Sequence, residues 1–161
     1  MSTKTLRLYE AEILYYGKDI LDSYGMNKEK ELMQHGLTSV YQHSINVAYL
    51  ALKIDATFHL NSQRSTLVRG CLLHDYFLYD WHDHPFGRYT HGFKHPYRAL
   101  ENASNDFTLN ENEKNMILRH MFPLTPIPPK TREGIILCLA DKIAATIEFF
   151  MRKHPFKDWN F

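Results

Sequence analysis

Three features of the chain predict an all-α fold. Apolar residues recur at helical rather than alternating spacing, no alternating run leads into a hairpin turn, and polar caps stand ahead of the main apolar stretches. At 161 residues, with 44% hydrophobic and 14% aromatic content, the chain suits one domain over residues 1–161 with a real core. It is short for two.

The spacing predicts about six to seven helices. The first runs from about Thr5 to Ser23, stopped by Tyr24-Gly25, and a short one from about Lys28 to Gln34 ends at Gly36. Ser39 and Gln42 form a capping box that opens a helix to about Thr57, with Val40, His43, Val47, Leu50 and Ile54 on one face. His43 therefore points inward. Asn61 and Ser62 cap the next helix, whose stripe of Leu67, Val68, Cys71 and Leu72 is continued by His74 and Asp75. From Tyr76 to Lys94 the sequence reads as a long aromatic and histidine-rich loop. Pro96 suits a first helical position, which makes His95 the cap of a helix to about Ala103. Asn110 and Glu113 cap a helix to about His120, and Pro123, Pro126, Pro128 and Pro129 enforce an extended crossing. The last helix, from about Thr131 to Arg152, is apolar nearly all round between Ile135 and Ile147, as a central helix would be, with Asp141 in its middle.

Buried polar residues carry the functional signal. An imidazole or carboxylate on an apolar face is costly without a partner, and a divalent metal would bind His43, His74, Asp75, His95, His120 and Asp141 together. Taken singly, each of His43, His95 and His120 reads first as a core or capping histidine, and it is the six together that favour a metal. Asp141 is harder to place. Its neighbour Lys142 points about 100° away around the helix, so the carboxylate needs a metal or a partner elsewhere, such as an arginine. Of the two His-Asp pairs, His74-Asp75 ends a buried helix whereas His82-Asp83 lies in the loop, so location selects the first.

The order His43, His74-Asp75, Asp141, the last within Leu-Ala-Asp-Lys-Ile, resembles the HD-domain superfamily of metal-dependent phosphohydrolases over roughly residues 35 to 150. The resemblance implies a compact helical bundle in which His43, the His74-Asp75 pair and Asp141 bind one metal. His95 and His120 are similar to the two intervening histidines of the dinuclear branch, which hold a second metal while the Asp of the pair, here Asp75, bridges both. Small bacterial HD proteins that cleave dinucleoside polyphosphates have a similar layout and commonly carry a lysine three residues after the pair, where this chain has Leu78. Some HD proteins with the same six-ligand order are mixed-valent di-iron oxygenases, a competing chemistry. A non-catalytic metal-containing sensor is the third.

Imidazole with carboxylate suits two divalent ions, iron or manganese first, with zinc, cobalt, nickel or magnesium as alternatives. Two metals would activate a water for attack on phosphorus, so no protein nucleophile is needed, and Asp75 would bridge and orient. The expected reaction is hydrolysis of a phosphate ester or phosphoanhydride in a small substrate, a nucleotide first. Arg98, Arg119 and Lys142 are the cations nearest the ligands in sequence and the candidates for substrate phosphates. His35, His82, His84 and His91 could line the entrance, and Tyr76, Phe77, Tyr79, Trp81 and Phe86 could stack on a base or simply pack.

Charge argues against polymeric nucleic acid as a partner, since 19 Lys and Arg balance 18 Asp and Glu and no basic block stands out. The longest apolar stretch, Ile135 to Ala140, is far too short to cross a bilayer, and no leader pattern stands at the start. Cys71 and Cys138 sit in apolar runs and suit reduced thiols, so a soluble cytoplasmic protein is expected, of open oligomeric state.

Overall fold

A computed structural model describes residues 3–35, 38–80 and 87–151. The predicted all-α class is what the structure shows. Helices α1 (Thr3–Leu21), α2 (Tyr24–Glu29), α3 (Val40–Thr57), α4 (Arg64–Leu73), α5 (Gly87–Asp106), α6 (Glu111–Arg119) and α7 (Arg132–Met151) are joined by one antiparallel pair, β1 (Met33–His35) with β2 (Thr38–Ser39). That short hairpin was not expected from the sequence, because two strands of three and two residues are too short to show alternation.

Helix α3 is the axis of the bundle. It is buried almost without break from Val40 to Leu52 and packs on α4 and α7, while α1 covers α3 and α4 from the other side. Tyr9, Ile13, Gly17 and Ile20 line the buried face of α1 at helical spacing. Gly17 allows the approach: a β-carbon there would lie 2.3 Å from Leu72 Cδ1 of α4. Helix α6 packs on α4, α5 and α7, so the ends of α4 and α6 meet the middle of α5 and α7.

Several boundaries differ from the sequence reading. The short helix begins at Tyr24 rather than Lys28, because Ser23 is extended and its hydroxyl accepts the Met26 amide, making Tyr24-Gly25 a start and not a stop. Gly25 is there for space: a β-carbon would sit 1.6 Å from the Tyr76 hydroxyl. Helix α4 starts at Arg64 behind Gln63, without a side-chain cap, instead of behind Asn61 and Ser62; the Asn61 backbone is left-handed, with φ 52°, and the Ser62 amide is held by Asp55. Ser39 does cap α3 through the Gln42 amide, but the Gln42 side chain turns to Asn46 instead of replying. The box of Asn110 and Glu113 on α6 is complete in both directions.

The largest difference is α5. It begins at Gly87 and carries Pro96 inside it, so His95 is a mid-helix residue and not a cap. Proline removes the amide that would bond the Gly92 carbonyl and crowds that carbonyl, and burial of Pro96, Ala99 and Ala103 against the core offsets the cost. Helix α7 is also less central than its composition suggests. Ile136, Leu137, Ala140 and Ala144 are buried, but Ile135 is 60% and Leu139 48% exposed.

Substituting Gly25→Ala should lower stability by about 1–3 kcal/mol, because the Tyr76 ring would have to leave its bond to Asp106. A urea midpoint equal to wild type would show that the ring yields freely.

Candidate metal centre

Six residues far apart in sequence converge inside the bundle. His43 comes from α3, His74 and Asp75 from the end of α4, His95 from α5, His120 from the end of α6 and Asp141 from α7. All are buried except Asp141, whose side chain is 13% exposed. They form two groups, His43 with His74 and Asp141, and Asp75 with His95 and His120, in each of which the ligand atoms lie within 4.8 Å of one another. In the first group Asp141 Oδ1 stands 3.2 Å from His43 Nε2 and 3.8 Å from His74 Nε2. No arginine is needed to explain Asp141. Asp75 faces both groups: its Oδ1 is 3.1 Å from His95 Nε2 and 3.4 Å from His120 Nε2, and its Oδ2 is 3.4 Å from His74 Nε2 and 3.9 Å from His43 Nε2.

The outer nitrogens decide what this cluster can bind. His74 Nδ1 donates to the Cys71 carbonyl at 2.8 Å, His95 Nδ1 to the His91 carbonyl at 2.8 Å, and His120 Nδ1 to the Ile117 carbonyl at 2.7 Å. A carbonyl only accepts, so each ring carries its proton on Nδ1 and, when neutral, turns a bare Nε2 lone pair inward. His43 Nδ1 likewise donates to Glu148 Oε2 at 2.8 Å, and Asn46 Nδ2 donates to Glu148 Oε1 at 2.7 Å. His95 Nε2 and His120 Nε2 face each other at 2.8 Å, and His74 Nε2 is buried without a hydrogen-bond partner. Lone pairs held this close on a carboxylate repel unless a cation or proton lies among them. The donor set and its pinned outer nitrogens therefore fit a divalent metal.

A family model described as the HD domain matches residues 40–146. The chain belongs to the HD-domain family. No curated protein matches it, and no solved structure does. All six converging residues of this HD domain lie inside the matched segment, whereas Glu148 lies just beyond it.

The electrostatics show the same centre with protons in place. Burial alone would raise the Asp75 carboxyl, but charge on His74 and hydrogen bonds from His120 and His95 hold it well below the usual range. Burial likewise opposes ionisation of Asp141, and His43 and His74 reverse this. Burial would lower His43, yet bonds to Asp141 and Glu148 push it well above 6.5; for His74 burial is outweighed by Asp75 and Asp141. His120 goes the other way, lowered by burial.

The turn after Asp75 is held from two sides. Leu78 has a left-handed backbone, with φ 60°, a strain of about 1–3 kcal/mol for such a residue. Lys28 Nζ donates to the Leu78 carbonyl at 2.9 Å, and Asn102 Nδ2 to the Tyr76 and Phe77 carbonyls at 3.1 and 3.0 Å. Tyr76 and Phe77 are core residues, Tyr76 bonding Asp106, which is the packing use of those aromatics. Tyr79 is half-buried, with its hydroxyl 2.9 Å from His91 Nδ1, and His91 stacks on His95 at 4.5 Å. His91 thus lies directly beside the second group.

The three predicted cations are dispersed around the centre. Arg98 is exposed and paired with Glu101 at 2.7 Å. Lys142 donates to the His120 carbonyl at 3.0 Å and the Cys138 carbonyl at 3.3 Å, and Arg119, half-buried beside His120, has a buried Nε without a partner. His82, His84, Trp81 and Phe86 lie outside the described residues, as does the His35 side chain. Cys71 and Cys138 are free and buried, and no helix among the described residues is long and apolar enough to cross a membrane.

Sequence reading missed Glu148, Asn46 and Gln34. The first two were within reach: Glu148 is two turns beyond Asp141 on the same face of α7, and Asn46 is one turn beyond His43. Gln34 donates to Asp75 Oδ2 at 2.5 Å and was hidden because its strand was read as the end of a helix.

Glu148→Gln keeps the volume but removes the charge behind His43, so metal retention should weaken about 10-fold or more with helicity unchanged. Equilibrium dialysis and circular dichroism measure both. The metal-free protein should lose stability as pH rises above about 6.5, since His43 and His74 have raised folded values and their contribution is complete only below the unfolded value. His120 has the opposite slope, confined below 6.5. Metal should bind more tightly over the same rise, because it displaces those protons. Thermal midpoints with and without metal should diverge with pH.

Proposed function

We propose that this HD protein is a hydrolase that cleaves a phosphate ester or phosphoanhydride in a small substrate, a nucleotide first, at a centre of two divalent ions. The observation that carries the reading is the position of Asp75, whose two oxygens face two separate ligand groups. His43, His74 and Asp141 would hold one ion, His95 and His120 the other, and Asp75 both. When bound, such a pair lowers the pKa of a water and neutralises charge on the attacking and leaving oxygens, and imidazole with carboxylate favours iron or manganese.

The chain's own groups do the positioning. Glu148 and the carbonyls of Cys71, His91 and Ile117 fix the four rings, so the ligand atoms need little reorganisation. Burial excludes bulk water from all but the Asp141 side. Arg119 is the first choice to meet a phosphate oxygen, because its Nε is desolvated and unpartnered. Lys142 secures the end of α6 under His120, and Arg98 offers charge farther out. Among the described residues, Tyr79 beside His91 is the candidate aromatic left to stack on a base, once Tyr76 and Phe77 are spent on the core. Two buried free thiols suit a cytoplasmic setting.

His74→Ala and Asp75→Ala should each remove metal and lower turnover more than about 100-fold, beyond what loss of an outer-sphere partner costs. Metal per chain, followed by a screen of nucleotides and general phosphatase substrates, gives both readouts. An Asp75→Ala protein that hydrolysed its substrate at the wild-type rate would remove the mechanism.

A further inference from the structure

The segment ahead of the matched HD region reaches into the centre. In the hairpin, Met33 pairs with Ser39 and His35 with Thr38, so Gln34 is the extra residue at an irregularity in the register. A bulge of this kind re-aims one side chain. Here it turns Gln34 inward, leaving it 7% exposed with Nε2 at 2.5 Å from Asp75 Oδ2. The orientation of the amide is dictated by chemistry. An ionised carboxylate only accepts, so the amide nitrogen must face Asp75 and Gln34 Oε1 must point away, where it is buried without a partner. The same segment buries Glu29 at the end of α2 with both carboxyl oxygens unpartnered, in the field of Asp75 and His43. Two polar side chains from outside the family's matched segment are thus buried, Gln34 against Asp75 itself.

We propose that Gln34 is a positioning residue of the metal centre, its amide fixing the Oδ2 of Asp75 on the side of His43 and His74 so that one carboxylate serves both ligand groups. Without that donor the carboxylate is free to rotate about its bond to the β-carbon and turn both oxygens to His95 and His120. The inference rests on the two-ion reading above and deepens it. It also gives the hairpin a purpose: the strand presents Gln34 to Asp75 while Met33, its neighbour in β1, stays 37% exposed.

The test is a Mn²⁺ titration of the full chain, reading free ion by its magnetic resonance signal. Gln34→Leu, close to the same size without the donor, should bind Mn²⁺ about 10–100-fold more weakly than wild type, the range found for outer-sphere partners. Met33→Ala, in the same strand but pointing outward at 37% exposure, should bind as wild type. Gln34→Leu binding within about threefold of wild type would overturn the proposal, as would an equal loss in Met33→Ala, which would trace the effect to the hairpin as a whole. If Gln34→Leu does not fold, Gln34→Asn decides: one methylene shorter, it withdraws the donor and should weaken Mn²⁺ binding, and unchanged affinity overturns the role. Wild type that binds no Mn²⁺, Fe²⁺ or Zn²⁺ would overturn the two-ion reading itself and this inference with it, whereas tight wild-type binding left unchanged by Gln34→Leu overturns only the inference.

Discussion

The hydrogen bond from each outer ring nitrogen is the constraint on which the rest of the centre depends. Three backbone carbonyls and one carboxylate take the Nδ1 protons of His74, His95, His120 and His43, leaving four Nε2 atoms directed at two carboxylates. Lone pairs so arranged in a buried space are unfavourable to one another, and stability must come from cations or protons placed among them. The rings cannot escape by rotation, because turning any of them would strand a buried acceptor as well as the ring nitrogen.

Helix ends and helix crossings supply this arrangement. His74 and His120 are the residues at which α4 and α6 finish, where carbonyls three residues back lack amide partners and accept the ring protons instead. His95 instead bonds its own helix one turn back, within α5. His43 is tied across the bundle to α7 through Glu148, and Asn46 completes that carboxylate, so the α3–α7 crossing and the first ligand group are set by the same side chains. Asp75 then follows His74 directly, into a turn strained at Leu78 and held by Lys28 and Asn102. Fold and site are therefore not separable here: the core places the ligands, and the ligands' outer bonds tie the core together.

The helical class and the six converging residues were legible because each rests on local evidence: periodicity, caps, and polar residues intruding on apolar faces. His43 stood on an apolar face and Asp141 in a helix apolar nearly all round, so their inward direction was legible, though their meeting was not. The capping box at Asn110 and Glu113 is likewise a local event and formed as read. Two misreadings were local, Ser23 opening α2 and Gln42 turning to Asn46, whereas others depended on partners distant in sequence. Pro96 looked like a helix start because a proline's own preference is local, whereas the burial that carries α5 through it is tertiary. Gly25 looked like a stop because nothing nearby in sequence shows the Tyr76 ring that excludes a side chain there.

The amino-acid order by itself determined the helical class, the inward direction of His43, His74, Asp75, His120 and Asp141, and the residue types suited to divalent cations. Burial and periodicity did not say how those residues are grouped, because grouping is a matter of distances between helices, and these the tertiary structure supplies. The division into two sets with Asp75 between them, which the HD resemblance implied, rests in the structure on measured distances, and the structure alone brought Gln34 and Glu148 to the ligands. The physical reason is range: burial and capping act over a turn or two of chain, whereas a shared carboxylate is positioned by contacts from four helices and a bulged strand at once.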